Sequence, residues 1–191
     1  YNPDEGHIEQ SVLKTLLGDF SFYREYHKGL GDATNWSDEN PHTFMDVGPF
    51  NLLILNTSML ACGDDDTNNL ILGTSFVSSC ISKAGKNKKP IIAVGHHGLD
   101  MLKDAENRAV SKLFDNEGIA LYLCGHTHEN WYSRFGEHGH QINVGCTWTS
   151  LHEAEASFSV GELCDDGAVN IYSYRWDKKN QKWFEDNVNR R

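Results

Sequence analysis

The sequence lacks the features that carry a chain into or across a membrane. No apolar run approaches the roughly 20 residues that a membrane-spanning helix needs. The first residues, Tyr1 to Glu5, are polar and acidic, unlike a signal peptide. The five cysteines are odd in number and include no Cys-x-x-Cys pair, which argues against a disulfide framework and favours a reducing compartment. We therefore predict a cytoplasmic protein with no membrane partner.

An excess of positive charge is also missing. The formal net charge is −10, whereas a protein that binds nucleic acid mainly through its phosphates is usually basic. Nucleic acid is therefore not indicated as a partner, although the charge does not exclude it. A phosphoester substrate is compatible with this charge, because bound divalent metal ions would supply local positive charge.

Mixed strand and helix patterns predict an α/β (α+β) fold, and 191 residues suffice for one domain with a sizeable core. Apolar residues at helical spacing predict a helix over 7–17 that stops at Gly18, and another over 75–84. A nearly all-apolar run predicts a buried strand over 50–55. The C-terminal third predicts an antiparallel meander, with strands over 141–144, 156–163, 168–175 and 182–185.

The middle of the chain predicts a parallel strand–helix–strand unit. Apolar strands are predicted over 91–94 and 119–124, and helical spacing runs between them from Leu102 to Phe114. Strands joined by such a crossover point the same way, so the residues just past their carboxyl ends emerge at the same sheet edge. Any polar side chains at these two positions are therefore expected to lie together.

Histidines occupy both positions. His96 and His97 follow the first strand, and His126 and His128 follow the second. In extended backbone, residues two apart share a face, so His126 and His128 could bind one metal ion or one ion each of a close pair. Imidazoles favour zinc, iron, manganese or cobalt. The alternative is that backbone carbonyls satisfy these rings, but two pairs at equivalent strand ends favour a metal site.

This ordered pattern resembles the calcineurin-like metallophosphoesterases. The resemblance rests on His96-His97 after one strand, Gly125-His126-Thr127-His128 after the next, and then Ile142-Asn143-Val144-Gly145 before the meander. It implies part of a four-layer α/β/β/α sandwich. Residues 1–191 would form a single domain that is the C-terminal portion of a phosphoesterase domain.

The resemblance also assigns roles to the histidines. His96 and His126 would bind one ion of a pair of divalent metals, manganese, zinc or iron, and His128 would bind the other. His97 would lie behind the ligands or near the substrate phosphate. The implied reaction is hydrolysis of a phosphomonoester or phosphodiester by a dinuclear centre with a metal-bound hydroxide as the nucleophile.

The chain departs from the family pattern upstream of these residues. Asp-x-His and Gly-Asn-His motifs, which supply the carboxylate and asparagine ligands in the family, are absent. We therefore expect weak metal binding and negligible hydrolysis by these residues alone, and docking of a missing N-terminal segment or another chain. Two alternatives stay open: a non-catalytic partner-binding module with this fold, and a mononuclear zinc hydrolase that uses His96, His126 and His128.

Overall fold

The computed structural model describes residues 9–21, 25, 39–63, 66–84, 89–146, 156–164, 168–186 and 189–190. They form a main sheet of seven strands and a separate antiparallel sheet of three strands. The helices whose bounds fall within these residues are α1 (Gln10–Asp19), α2 (Thr74–Ala84) and α3 (Asp104–Glu117). The predicted α/β fold class is confirmed. Within the described residues, no helix combines the length and apolarity that a membrane crossing requires.

The main sheet is mixed, and its central strands are parallel. Its spatial order is β1-β2-β3-β4-β6-β5-β10, in which β2, β3, β4 and β6 run in one direction. Strand β1 is antiparallel to β2, and β5 is antiparallel to β6 but parallel to β10. The strands are β1 (Thr43–Asp46), β2 (Asn51–Ile54), β3 (Ile91–Val94), β4 (Leu121–Cys124), β5 (Trp131–Phe135), β6 (Gly139–Asn143) and β10 (Asn189–Arg190).

The strand–helix–strand unit forms as predicted. Strand β3 continues through a short 3₁₀ turn (Leu99–Met101) into α3, and β4 returns parallel to β3. Gly118 ends α3 in the left-handed conformation (φ 68°) that glycine adopts without a steric penalty. Phe114 of α3 and Tyr122 of β4 are fully buried in the main hydrophobic core. This core fixes the carboxyl ends of β3 and β4 side by side.

The second sheet is a meander of β7 (Ser157–Leu163), β8 (Val169–Asp177) and β9 (Lys182–Asp186). One of its faces is rich in aromatic rings: Phe158 stacks on Tyr174 at 5.0 Å, and Trp183 contacts both Phe158 and Trp176. Trp183 is 42% exposed. Docking of another segment or chain on this protein stays a prediction.

Several sequence-based boundaries were wrong. The first helix extends to Asp19, so Gly18 lies inside α1 instead of stopping it, and residues 7 and 8 fall outside the described residues. The strand predicted over 141–144 does not belong to the meander. It is β6, which pairs in parallel with β4, because the local apolar pattern does not specify which strand becomes the neighbour. Strands β1 and β5 were not predicted.

Candidate metal centre

The parallel strands bring three loops to one edge of the main sheet. Thr57 follows β2, His96 and His97 follow β3, and His126 follows β4. A backbone bond joins the two histidine loops, since the Gly125 N–H donates to the His96 carbonyl at 2.9 Å. The sheet thus holds the two loops in register, as expected for residues at the carboxyl ends of parallel strands.

Three of the predicted histidines form a compact group. One ring nitrogen from each of His96, His97 and His126 lies within 4.8 Å of the others. The Nδ1 atom of His126 is 3.1 Å from the Nε2 atom of His96. His96 and His126 are exposed at the edge, and His97 is buried beneath them with 3% of its surface accessible. The group is therefore open to solvent on the side of His96 and His126.

The surroundings favour the neutral form of two of these rings, His96 and His97. Burial lowers the pKa of His97 to about 4, and the neighbouring His96 and His126 act in the same direction, while Asp66 and the Thr57 backbone oppose them. Burial also lowers the pKa of His96, followed by the charges of His126 and His128. A neutral imidazole keeps one nitrogen lone pair, which is what a metal ion requires.

The spacing between His96 and His126 fits a shared ion. Two nitrogen ligands at about 2.0–2.1 Å from one ion lie roughly 3.3 Å apart at the tetrahedral angle and roughly 2.9 Å apart at a right angle. The observed separation of 3.1 Å falls between these values. Metal binding at this pair would need little rearrangement.

Thr57 and Tyr122 hold the loop after β3 in place. Thr57 Oγ1 accepts hydrogen bonds from the backbone N–H groups of His96 and His97, at 3.2 and 3.0 Å. The Tyr122 hydroxyl donates to the carbonyl of His97. Both side chains approach Gly95 closely: a Cβ atom there would lie 2.3 Å from the Tyr122 oxygen and 2.9 Å from the Thr57 methyl group. The loop therefore needs glycine at position 95.

Gly95→Ala is expected to destabilise the fold by about 1–3 kcal/mol, because the added methyl group overpacks a site that is already filled. Urea unfolding measures this difference. Gly18→Ala is the matched control: a Cβ atom there meets nothing within 4 Å in α1, and we expect a gain of up to about 1 kcal/mol. Equal stability of Gly95→Ala and the wild type would contradict the packing described here.

The loop after β4 is bent, which corrects one premise of the sequence analysis. His126 and His128 were expected in extended backbone, but both have left-handed φ angles, 73° and 59°. Tertiary contacts impose this shape, since Thr127 Oγ1 accepts hydrogen bonds from Trp131 Nε1 at 3.0 Å and from Asn143 Nδ2 at 2.7 Å. The i, i+2 spacing therefore does not place the two rings on one face of a strand.

The structure brings three of the four predicted site residues together. His96, His97 and His126 come together, whereas His128 lies outside this group, near enough to His96 to lower its pKa. Two residues that support the histidine loops, Thr57 and Asn143, were not among the predicted site residues. The strand-end rule that located the histidines would have found both, had β2 and β6 been recognised as neighbours in the same parallel set.

Comparison with known proteins identifies the family of this chain. A family model described as calcineurin-like phosphoesterase matches residues 11–130, which include both histidine loops. The chain is also 23% identical over 197 residues to YydB of Bacillus subtilis (strain 168), an uncharacterized metallophosphoesterase-like protein. That match covers 97% of this chain, and the chain spans 40% of the length of YydB. Because the family model covers more than half of the chain, the chain belongs to the calcineurin-like phosphoesterase family.

Proposed function

We propose that this chain supplies the histidine half of a metal centre that hydrolyses phosphoesters. The observation that carries the proposal is the pair of His96 and His126 nitrogens, 3.1 Å apart at the carboxyl edge of a parallel sheet. Family membership indicates the reaction class, and the spacing indicates where an ion would be held. A protein with this site would act on a phosphomonoester or a phosphodiester.

His96 and His126 would hold one divalent ion, and His128 would hold a second ion in a dinuclear centre. Manganese, zinc or iron suits imidazole ligands. When bound, such ions supply Lewis-acid stabilisation of the negative charge that develops on the phosphoryl oxygens. Because the formal net charge of the chain is −10, its own charge balance does not attract an anionic substrate, and the ions would have to provide that attraction.

The chain's own residues prepare the site in two ways. Burial, followed by the charges of His126 and His128, lowers the pKa of His96, which favours the neutral ring that a metal ion requires. The backbone bond between Gly125 and His96 fixes the separation of the two loops. His96 and His126 face solvent, which leaves room for a phosphoryl group to approach.

A mononuclear zinc hydrolase is the second candidate. The sequence predicted His96, His126 and His128 as its ligands, but the group in the structure contains His97 instead of His128, with one nitrogen of each ring within 4.8 Å of the others. A set of three histidines with an open fourth position is typical of catalytic zinc. Metal stoichiometry separates the two candidates, because the dinuclear centre binds two ions per chain and the mononuclear centre binds one.

Hydrolysis by the full-length natural protein tests the proposal. The assay compares bis-p-nitrophenyl phosphate, a diester, with p-nitrophenyl phosphate, a monoester, in the presence of manganese or zinc. We expect the wild type to hydrolyse at least one of them and His96→Ala to lose that activity. His138→Ala is the control, because that side chain is 81% exposed in a turn away from the group. Equal rates for the wild type and His96→Ala would refute the proposal.

A further inference from the structure

One hydroxyl group, Thr57 Oγ1, makes three contacts with the loop after β3. It lies 3.2 Å from the backbone nitrogen of His96, 3.0 Å from that of His97, and 3.0 Å from the His97 ring nitrogen Nδ1. Thr57 is 2% exposed and His97 is 3% exposed, so solvent water has little access to these contacts. The Thr57 hydroxyl, the two backbone N–H groups and the His97 ring nitrogen must therefore satisfy one another's hydrogen bonds.

Counting donors and acceptors gives one solution. A threonine hydroxyl has one O–H to donate and two lone pairs to accept with. The two backbone N–H groups can only donate, so they occupy both lone pairs. The remaining contact, 3.0 Å from Oγ1 to Nδ1 of His97, would then use the hydroxyl hydrogen, with the Nδ1 lone pair as the acceptor. A neutral imidazole that accepts at Nδ1 carries its hydrogen on Nε2.

We infer that Thr57 holds His97 in the Nε2–H form, so that His97 is a hydrogen-bond donor at the site and not a metal ligand. Neither ring nitrogen is then free, since Nδ1 accepts from Thr57 and Nε2 carries a hydrogen. The three clustered histidines accordingly divide into a ligating pair, His96 and His126, and a positioning residue, His97. This inference refines the proposed function, on which its metal-binding part rests.

The placement of Thr57 is itself tightly constrained. Its backbone N–H donates to the carbonyl of Leu55, one residue past β2, and its methyl group would be 2.9 Å from a Cβ atom at Gly95. The His97 carbonyl is held on the other side by the Tyr122 hydroxyl. Because Thr57 and His97 are both held in place, neither residue can turn away to give a different arrangement of hydrogens.

One competing arrangement must be distinguished. The backbone of Thr57 opposes the lowering of the His97 pKa that burial, His96 and His126 cause, which means that it favours a hydrogen on the ring nitrogen facing it. If Nδ1 carried that hydrogen, Nε2 would have a lone pair and His97 could ligate an ion. The two arrangements predict opposite tautomers of the same ring.

Nitrogen-15 NMR of the metal-free chain at neutral pH reads the tautomer directly. We expect a protonated Nε2 and an unprotonated Nδ1 for His97 in the wild type and in Thr57→Ser, which keeps the hydroxyl. Thr57→Val removes the hydroxyl and is expected to lose this preference. A protonated Nδ1 in the wild type would overturn the inference, and the wild-type reading decides it even if Thr57→Val fails to fold.

Metal titration supplies the second readout. His97→Gln keeps an N–H donor near the Nε2 position, and we expect its zinc affinity to stay within about threefold of the wild type. His96→Gln removes a proposed ligand instead. It should weaken zinc binding by more than the roughly 10–100-fold that is typical when a residue supporting a ligand is replaced. Equal losses in the two variants would overturn the inference. The tautomer is measured without metal or substrate, so a failure of the proposed hydrolysis would leave that result intact.

Discussion

Replacing His126 with glycine is expected to stabilise the metal-free protein by about 1 kcal/mol and to weaken metal binding by at least about 100-fold. The two effects have opposite consequences for the molecule, although they arise at one residue. Together they would show that the sequence gives up stability at this position in return for a metal-binding side chain.

The gain in stability follows from the backbone. His126 has a φ angle of 73°, in the left-handed region that costs a residue with a Cβ atom roughly 1–2 kcal/mol. Glycine adopts this conformation without the steric penalty, although its unfolded chain is more flexible. The exposed contact between His126 and His96 is also lost, which offsets a small part of the gain.

The loss of metal affinity follows from the geometry of the pair. His126 Nδ1 lies 3.1 Å from His96 Nε2, so removing either ring leaves a single nitrogen where two would share an ion. Residues that merely support metal ligands typically contribute 10–100-fold to affinity, and a ligand should contribute more. The expected loss is therefore at the upper end of that range or beyond it.

Two further variants separate strain from ligation. His126→Ala removes the ring but keeps a Cβ atom, so it should lose metal affinity without the gain in stability. His138→Gly replaces an exposed turn residue that does not have a positive φ angle. This variant should keep the metal affinity of the wild type and should not be more stable than the wild type. Urea unfolding with a chelator and zinc titration measure the two effects. Zinc affinity of His126→Gly equal to that of the wild type would exclude His126 as a ligand.

The parts of the fold predicted correctly are those that local patterns encode strongly. Strand β3 and helix α3 were predicted within a few residues, because their apolar spacing is unambiguous. Strand β1 was missed because Asp46 and its neighbours show no clear alternation. Strand β5 mixes aromatic and charged residues in the order Trp-Tyr-Ser-Arg-Phe, and its pairing with β6 supplies what its pattern lacks.

The candidate site was predicted as a location and not as a geometry. The strand-end rule correctly brought His96 near His126, because it depends only on parallel strands. The bend over His126 and His128 could not be predicted, since it depends on Trp131 and Asn143 reaching Thr127 from β5 and β6. Thr57 carries no motif, and the strand-end rule did not locate it because β2 was not recognised as the parallel neighbour of β3.

A second large effect is expected from His42, a buried residue that takes no part in the metal centre. His42 is 2% exposed and lies just before β1. Its Nδ1 atom accepts the Asn56 backbone N–H at 3.2 Å, so Nε2 carries the hydrogen that is donated to the Leu72 carbonyl at 3.0 Å. The neutral ring thus links the end of β2 to the segment before α2, and a second hydrogen would break the bond to Asn56.

Burial lowers the pKa of His42 from the ordinary value of 6.5 to about 4, with the Leu72 carbonyl acting in the opposite direction. The unfolded chain therefore binds a proton at this residue at a higher pH than the folded chain does. Stability contributed by the neutral ring is complete above about pH 6.5 and is lost as the pH falls toward 4. The expected loss from this residue is about 2 kcal/mol at pH 5 and about 3 kcal/mol at pH 4.

Urea unfolding of the wild type and His42→Gln at about pH 7.5 and about pH 5 tests this expectation, with a chelator present throughout. Glutamine keeps a donor for Leu72 but does not titrate, so it should be less stable than the wild type at the higher pH. The difference should shrink by about 2 kcal/mol at the lower pH, because only the wild type loses the neutral ring's contribution. The titration of His96 and His97 cancels in this comparison, because both proteins contain these two residues. A difference that stays constant between the two pH values would contradict this expectation and would mean that His42 is not the acid-sensitive group.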